Sequence, residues 1–123
     1  MRSRRLLAAV IITAASAAFA IAATWTTIAS FSGSGAADTA TFTTHGGTLR
    51  FEFTVQPNSS GPVPLLLKMY PKGAPVDANE KVRIQCIDCS GPQTKDAGKV
   101  SAGTYYLHIS TSRPWTLKVE ESQ

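Results

Sequence analysis

The chain has 123 residues, a formal net charge of +4 and two cysteines. Its length leaves room for one domain and an N-terminal appendage. Three of the twelve basic residues are Arg2, Arg4 and Arg5, and the other nine face eight acidic residues, so the rest of the chain is about neutral. No basic stripe with interleaved aromatic residues remains. The sequence therefore argues against a nucleic-acid partner.

Residues 1–24 have the pattern of an export signal. A basic start is followed by an apolar run over residues 6–23, and small residues such as Ala18 and Ala20 fit a cleavage site. A run of this length could also span a membrane. The third alternative, a buried helix of a soluble domain, would be expected to have a polar stripe. We predict a signal peptide or a signal-anchor helix, which contacts the membrane through residues 6–23 if it is not cleaved. Residues 25–123 then form an extracytoplasmic domain, secreted or at the cell surface.

The exported part alternates apolar and polar residues as β-strands do. Gly46-Gly47 suggests a hairpin turn, and Pro64 suggests that its strand is at a sheet edge. Residues 90–102 are polar and contain glycine, which favours a loop. The predicted strands are residues 25–31, 39–44, 48–56, 63–70 and 81–88, with two more within 103–120. About seven short strands without a helix predict an antiparallel β-sandwich of jelly-roll or Greek-key type.

Residues 103–120 are predicted to form a closing β-hairpin that supplies much of the core. Its inward positions are Tyr105, Leu107 and Ile109 on one strand and Trp115, Leu117 and Val119 on the other. Three outward residues, Tyr106, His108 and Lys118, could together form a ligand-binding face. The alternative is that they are ordinary surface residues, as His45 is an ordinary residue of a glycine-rich turn.

Cys86 and Cys89 are the most specific feature of the sequence. A structural disulfide in an oxidising compartment is the first interpretation. A redox motif would usually have a helix N-terminus to lower the thiol pKa, whereas these cysteines follow a strand. A structural zinc site needs four ligands, and neither His45 nor His108 has ligand spacing to the pair. We expect a disulfide, with free or redox-active thiols and metal binding as the alternatives.

The sequence offers no set of residues for a known type of catalysis. It has no G-x-S-x-G motif, and no Ser-His-Asp set or pair of carboxylates stands out. We therefore predict a protein that is not an enzyme, with no catalytic residues, no cofactor and no metal.

Several segments resemble small exported bacterial β-sandwich domains, and more distantly the jelly-roll accessory domains of secreted bacterial peptidases. They are Trp25, Gly33-Ser-Gly35, Thr41-Phe42, Leu49-Arg-Phe-Glu-Phe53, the Gly103-x-Tyr-x-Leu-x-Ile109 strand and Trp115-x-Leu-x-Val119. The resemblance implies a β-sandwich behind a signal peptide or a membrane helix, and it implies no catalytic residues. The expected function is an interaction or envelope-associated module whose partner is a protein or an envelope component. The alternatives are a thiol-disulfide or metal-handling protein that uses Cys86 and Cys89, and a carbohydrate-binding module.

Overall fold

The computed structural model describes residues 24–123, so residues 1–23 of the predicted export segment lie outside the described residues. Within residues 24–123 the chain forms strands and no helix, and hence no helix that could cross a membrane. The nine strands are β1 (Thr26–Ser34), β2 (Ala37–Asp38), β3 (Phe42–Thr44), β4 (Thr48–Val55), β5 (Leu65–Pro71), β6 (Val82–Cys86), β7 (Gly91–Lys99), β8 (Gly103–Ser110) and β9 (Pro114–Ser122).

The strands form two antiparallel sheets, which confirms the all-β prediction and is consistent with a β-sandwich. The first sheet, sheet A, has the order β1-β9-β4-β7. The second, sheet B, has the order β2-β8-β5-β6, and β3 also pairs with β8. The last strand of the chain, β9, therefore lies between β1 and β4.

The core lies between the sheets because each strand turns alternate residues inward. On β4 the alternate residues Leu49, Phe51, Phe53 and Val55 are all buried. The inward positions predicted for the two strands within 103–120 are buried as well: Tyr105, Leu107, Ile109, Trp115, Leu117 and Val119. Apolar residues of β5 and β6 complete the interior: Leu65, Leu67, Met69, Val82 and Ile84. The inward faces predicted for the two strands within residues 103–120 are thus confirmed.

The predicted closing hairpin is wrong. β8 lies in sheet B and pairs with β5, whereas β9 lies in sheet A and pairs with β1 and β4. Residues 111–113 are of types that favour turns, and such residues can connect two sheets as well as close a hairpin. The hairpin at Gly46-Gly47 is wrong for the same reason, because β3 belongs to sheet B and β4 to sheet A.

Two other expectations about the strands are corrected. Residues 90–102, predicted as a loop, contain β7, which pairs with β4 from Thr48↔Lys99 to Val55↔Gly91. β5, predicted at an edge, lies between β8 and β6. Pro64 is compatible with this position because the strand begins one residue later, at Leu65, so no ladder hydrogen bond is lost.

Candidate functional site

Tyr106 and His108 lie on the outer face of sheet B, and both side chains are bonded within the protein. The His108 ring nitrogen Nδ1 is 2.5 Å from Oδ1 of Asp38, on the neighbouring strand β2. The Tyr106 hydroxyl donates to the Ala74 carbonyl oxygen at 2.7 Å. Burial raises the pKa of Tyr106, and the negative charge of Asp38 adds to this effect. These two predicted residues therefore share one surface with an acidic neighbour.

The β5–β6 loop folds back over this surface. Its Asp77 carboxylate accepts hydrogen bonds from Lys68 Nζ at 2.7 Å and from the Tyr70 hydroxyl at 3.3 Å. The bond from Lys68 lowers the pKa of Asp77, and the lysine's positive charge acts in the same direction. Tyr70 is fully buried under the loop, with its ring centroid 5.5 Å from that of Tyr106. The loop occupies the space in which a ligand would contact the two tyrosine rings.

Lys118 lies on the other side of the molecule, on the outer face of sheet A. Its Nζ is 3.6 Å from Oε1 of Glu52, on the adjacent strand β4. It lines an open depression of about 650 Å³ together with polar residues such as Ser30 and Thr54 and apolar residues such as Phe31 and Leu117. The structure brings Tyr106 and His108 together but not Lys118, so the three do not form one ligand face.

Cys86 and Cys89 lie at disulfide-bonding distance, with their Cα atoms 5.7 Å apart. Cys86 ends β6 in sheet B, and β7 of sheet A begins two residues after Cys89. The pair therefore closes the corner at which the chain passes from one sheet to the other. Cys89 is fully buried, whereas Cys86 is half-buried.

Hydrogen bonds hold the backbone of this corner as well. The Cys89 N–H donates to the Val63 carbonyl oxygen at 2.7 Å, and the Val63 N–H donates to the Asp88 carboxylate at 3.3 Å. The Ser90 hydroxyl donates to the same carboxylate oxygen at 3.3 Å. The cysteine pair and these three hydrogen bonds therefore hold the corner loop in place.

Ile87, between the two cysteines, is 80% exposed. In the described part of the chain the other exposed large apolar side chain is Val76, at 36%. Beside Ile87 is a mainly apolar depression of about 370 Å³, which we call the corner groove, lined in part by Pro64, Leu66, Cys86 and Ile87. Ile87 and the corner groove together form an exposed apolar surface at this corner.

His45 takes part in a polar cluster where β3 meets the end of β9. The Glu121 carboxylate is 3% exposed and accepts hydrogen bonds from the His45 and Gly47 backbone N–H groups, both at 2.9 Å. Its other oxygen is 2.9 Å from His45 Nδ1. Burial alone would raise the pKa of Glu121, but the bonds from His45 and Gly47 outweigh it and lower this pKa. The cluster fixes a passage between the sheets, so it has a structural role.

No group of three or more histidine, cysteine, aspartate or glutamate side chains within residues 24–123 is arranged to hold a metal ion. No protein-family model, curated protein or solved structure matches the chain. The exposed Ile87 side chain beside the corner groove makes this corner the candidate site that the geometry favours.

Sequence reasoning identified the cysteine pair but not the corner groove. In the sequence of β6, Val82, Ile84 and Cys86 alternate with Arg83 and Gln85, so Ile87 follows at an outward position. An apolar residue at this outward position is the one sequence signal that could have indicated an exposed apolar surface here. The groove itself depends on Leu66 and Pro64, which are more than 20 residues away in the sequence.

Proposed function

We propose that the chain is exported and that its sandwich acts outside the cytoplasm as a non-enzymatic interaction module, released or held at the envelope. The observation that carries the proposal is the 80% exposure of Ile87 on a loop closed by Cys86 and Cys89. We also propose that the sandwich is of jelly-roll or Greek-key type, since the chain changes sheet at six of the eight connections between described strands.

A rigid apolar anchor is well suited to binding. Ordering a flexible side chain or loop at an interface costs about 0.5–1.5 kcal/mol for each immobilised side chain. The corner loop is already held by the cysteine pair and by the bond from Cys89 N–H to Val63. Ile87 can therefore enter a partner's surface without much further loss of conformational freedom.

The partner that best fits is a protein segment in extended conformation. The edge of β6 beside Ile87 can accept an added strand through its backbone, and the corner groove can take an apolar side chain. The polar side chains on the outer face of sheet B are bonded to internal partners, as with His108 and Asp38, and are less available for contacts.

The cysteine pair also supports an extracytoplasmic location, because disulfides persist in oxidising compartments. Cell fractionation tests this part of the proposal. We expect the full chain outside the cytoplasm with Cys86 and Cys89 resistant to alkylation, and a variant without residues 1–23 inside the cytoplasm with both thiols alkylated. Full-length protein found in the cytoplasm with two free thiols would contradict export.

A library of displayed heptapeptides tests the interaction surface. We expect enrichment of sequences that alternate β-branched or apolar residues, and loss of their binding in an Ile87→Asp variant. The matched control is Val76→Asp, which changes the other exposed apolar residue and should bind as the unmodified chain does. Peptides that bind both variants equally, or no enrichment, would contradict this surface.

A further inference from the structure

One side of the sandwich carries a single charged residue. On this side, which we call the β1 flank, β1 is the edge of sheet A, and β2 and β3 form the edge of sheet B. The two edges meet where the ring centroids of Phe31 and Phe42 are 6.2 Å apart. From position 24 to position 44 the only charged residue is Asp38. Charged side chains are depleted in the cores of protein interfaces, so this composition favours a contact surface.

β1 also lacks the features that prevent pairing at sheet edges, which are charges, prolines, bulges and short strands. β7 contains Pro92 and Lys95, β6 has five residues including Arg83, and β2 has two residues. β1 has nine uncharged residues, and from Ala29 to Ser34 it pairs with β9 without a bulge. On its other side it pairs with no strand of the described part of the chain, so this edge is open to an added strand.

We propose that the added strand is β1 of a second copy of this chain, paired antiparallel about a two-fold axis so that sheet A continues across the dimer. The β1 flank is uncharged except for Asp38, so two copies can meet there without repulsion between like charges. The flank is on the side of the sandwich opposite to β6 and β7, so the dimer leaves the corner and Ile87 free. The inference therefore goes beyond the proposed function and does not rest on it.

The two faces of β1 restrict the register of this pairing. A two-fold axis perpendicular to the sheet keeps the inner faces of both copies on one side, so an inward residue must lie opposite an inward residue. Ala29, Phe31 and Gly33 are inward, whereas Ser30 and Ser32 are exposed on the outer face. The register centred on Phe31 places the two phenylalanine rings side by side and Ser30 opposite Ser32 of the second copy.

The packing of Trp115 disfavours the neighbouring register. In that register, which is centred on Ser32, Phe31 of one copy would lie beside Gly33 of the other. The inner side of Gly33 is already covered by the Trp115 ring, which lies 2.7 Å from the position that a Cβ would take there. Aromatic rings paired across two strands, in contrast, stabilise a sheet. The register centred on Phe31 therefore fits the packing within each copy.

The size of the β1 flank predicts a weak dimer. A strand of nine residues is about 30 Å long, and two sheets about 10 Å apart are about 20 Å thick with their side chains. Contact over this area buries about 600 Å² of each copy, or about 1,200 Å² in total, which is the lower limit for stable interfaces. We therefore expect a dissociation constant of about 1–100 μM.

Sedimentation equilibrium tests the dimer with the chain as isolated from the expressing cells, in mild detergent where residues 1–23 are retained. Ser30→Glu/Ser32→Glu places like charges opposite each other twice and should weaken dimerisation at least about tenfold. Ser30→Glu/Ser32→Lys places opposite charges at the same positions and should restore the dimer. The matched control, Thr54→Glu/Gln56→Glu, adds two exposed charges away from the edge and should leave dimerisation unchanged.

Cysteine cross-linking under mild oxidation tests the register, with the bond between Cys86 and Cys89 left intact. Residues directly opposite in antiparallel strands have Cα atoms about 4.5–5.5 Å apart, which suits a disulfide, whereas diagonal neighbours are about 7–8 Å apart. An equal mixture of Ser30→Cys and Ser32→Cys should therefore form cross-linked dimers. Each variant alone should form far fewer.

A chain that stays monomeric up to about 200 μM, twice the weakest association expected, would overturn the proposal. Equal association of Ser30→Glu/Ser32→Glu and the control would also overturn it, since a dimer held by residues 1–23 would not respond to charges on β1. Ser32→Cys that cross-links alone as readily as the mixture would overturn the proposed pairing. Peptide binding at Ile87 should be the same in all these variants, so loss of the dimer would leave the proposed function standing.

Discussion

Removal of the Glu121 carboxylate is expected to destabilise the fold strongly for a single side chain. In Glu121→Ala the backbone N–H groups of His45 and Gly47 lose their acceptor, as does the His45 ring nitrogen. The bond to the Gly47 N–H is buried, whereas the His45 side chain is 64% exposed and can bond to water instead. The main cost is therefore that of one or two backbone groups that lose a charged acceptor.

A hydrogen bond to a charged group contributes about 1.5–3 kcal/mol, and a buried unpaired donor costs about 1–3 kcal/mol. We expect Glu121→Ala to lower the free energy of unfolding by about 2–3 kcal/mol, measured by urea denaturation at pH 7. The matched control is Glu52→Ala, whose carboxylate is 36% exposed and lies 3.6–3.7 Å from Lys118 and Arg50. For the control we expect a change below about 1 kcal/mol.

The effect of Glu121 should depend on pH. The pKa of Glu121 is lowered in the folded protein, so its contribution to stability is present above the unfolded-state pKa of about 4.3 and is lost as the pH falls through the folded-state value. The difference between Glu121→Ala and the unmodified chain should be constant from pH 6 to 7 and shrink below about pH 4. A loss of less than about 0.5 kcal/mol at pH 7, or a difference that grows on acidification, would refute this account.

Three further changes test the packing and the topology. In Gly47→Ala the new Cβ would lie 2.4 Å from the Ser122 carbonyl oxygen, so the backbone must shift. We therefore expect a lower melting temperature by calorimetry, and an unchanged melting temperature would contradict this. Cys89→Ser should lower the free energy of unfolding by about 2 kcal/mol, and reduction of the unmodified chain should have the same effect in urea. A chain ending at residue 113 lacks β9, the strand between β1 and β4, and should show no cooperative urea transition; a cooperative one would contradict the central role of β9.

The faces of the strands could be predicted from the sequence, but their partners could not. In Leu49-Arg-Phe-Glu-Phe53 the alternation follows from the geometry of a strand with one buried face, so local residues carry the information. Pairing is not local in this fold, as Thr26 and Glu121 are register partners at opposite ends of the described chain. The stretch from Tyr105 to Val119 has the same pattern whether its strands pair or face each other across the core.

β7 was missed because its side chains contribute little to the core. Its residues, Gly91-Pro-Gln-Thr-Lys-Asp-Ala-Gly-Lys99, include polar side chains on both faces and two glycines with positive φ, Gly91 and Gly98. The strand is held mainly by its backbone ladder with β4. Hydrophobic alternation is a signal of burial, so an edge strand fixed by backbone bonds gives little of it.

The proposed contact surface is at the corner, and not on the outer face of sheet B, because of the way polar and apolar groups are arranged. On sheet B, Lys68 is bonded to Asp77 and Tyr106 to the Ala74 carbonyl, so a ligand there would have to replace bonds that already exist. At the corner, Ile87 is exposed to water, and burying it against a partner replaces no bond of its side chain. Burial of an exposed isoleucine is favourable by about 1.5–3 kcal/mol. A contact at the corner beside the cysteine pair would therefore bury apolar surface without breaking a side-chain bond, whereas a contact on the outer face of sheet B would break such bonds.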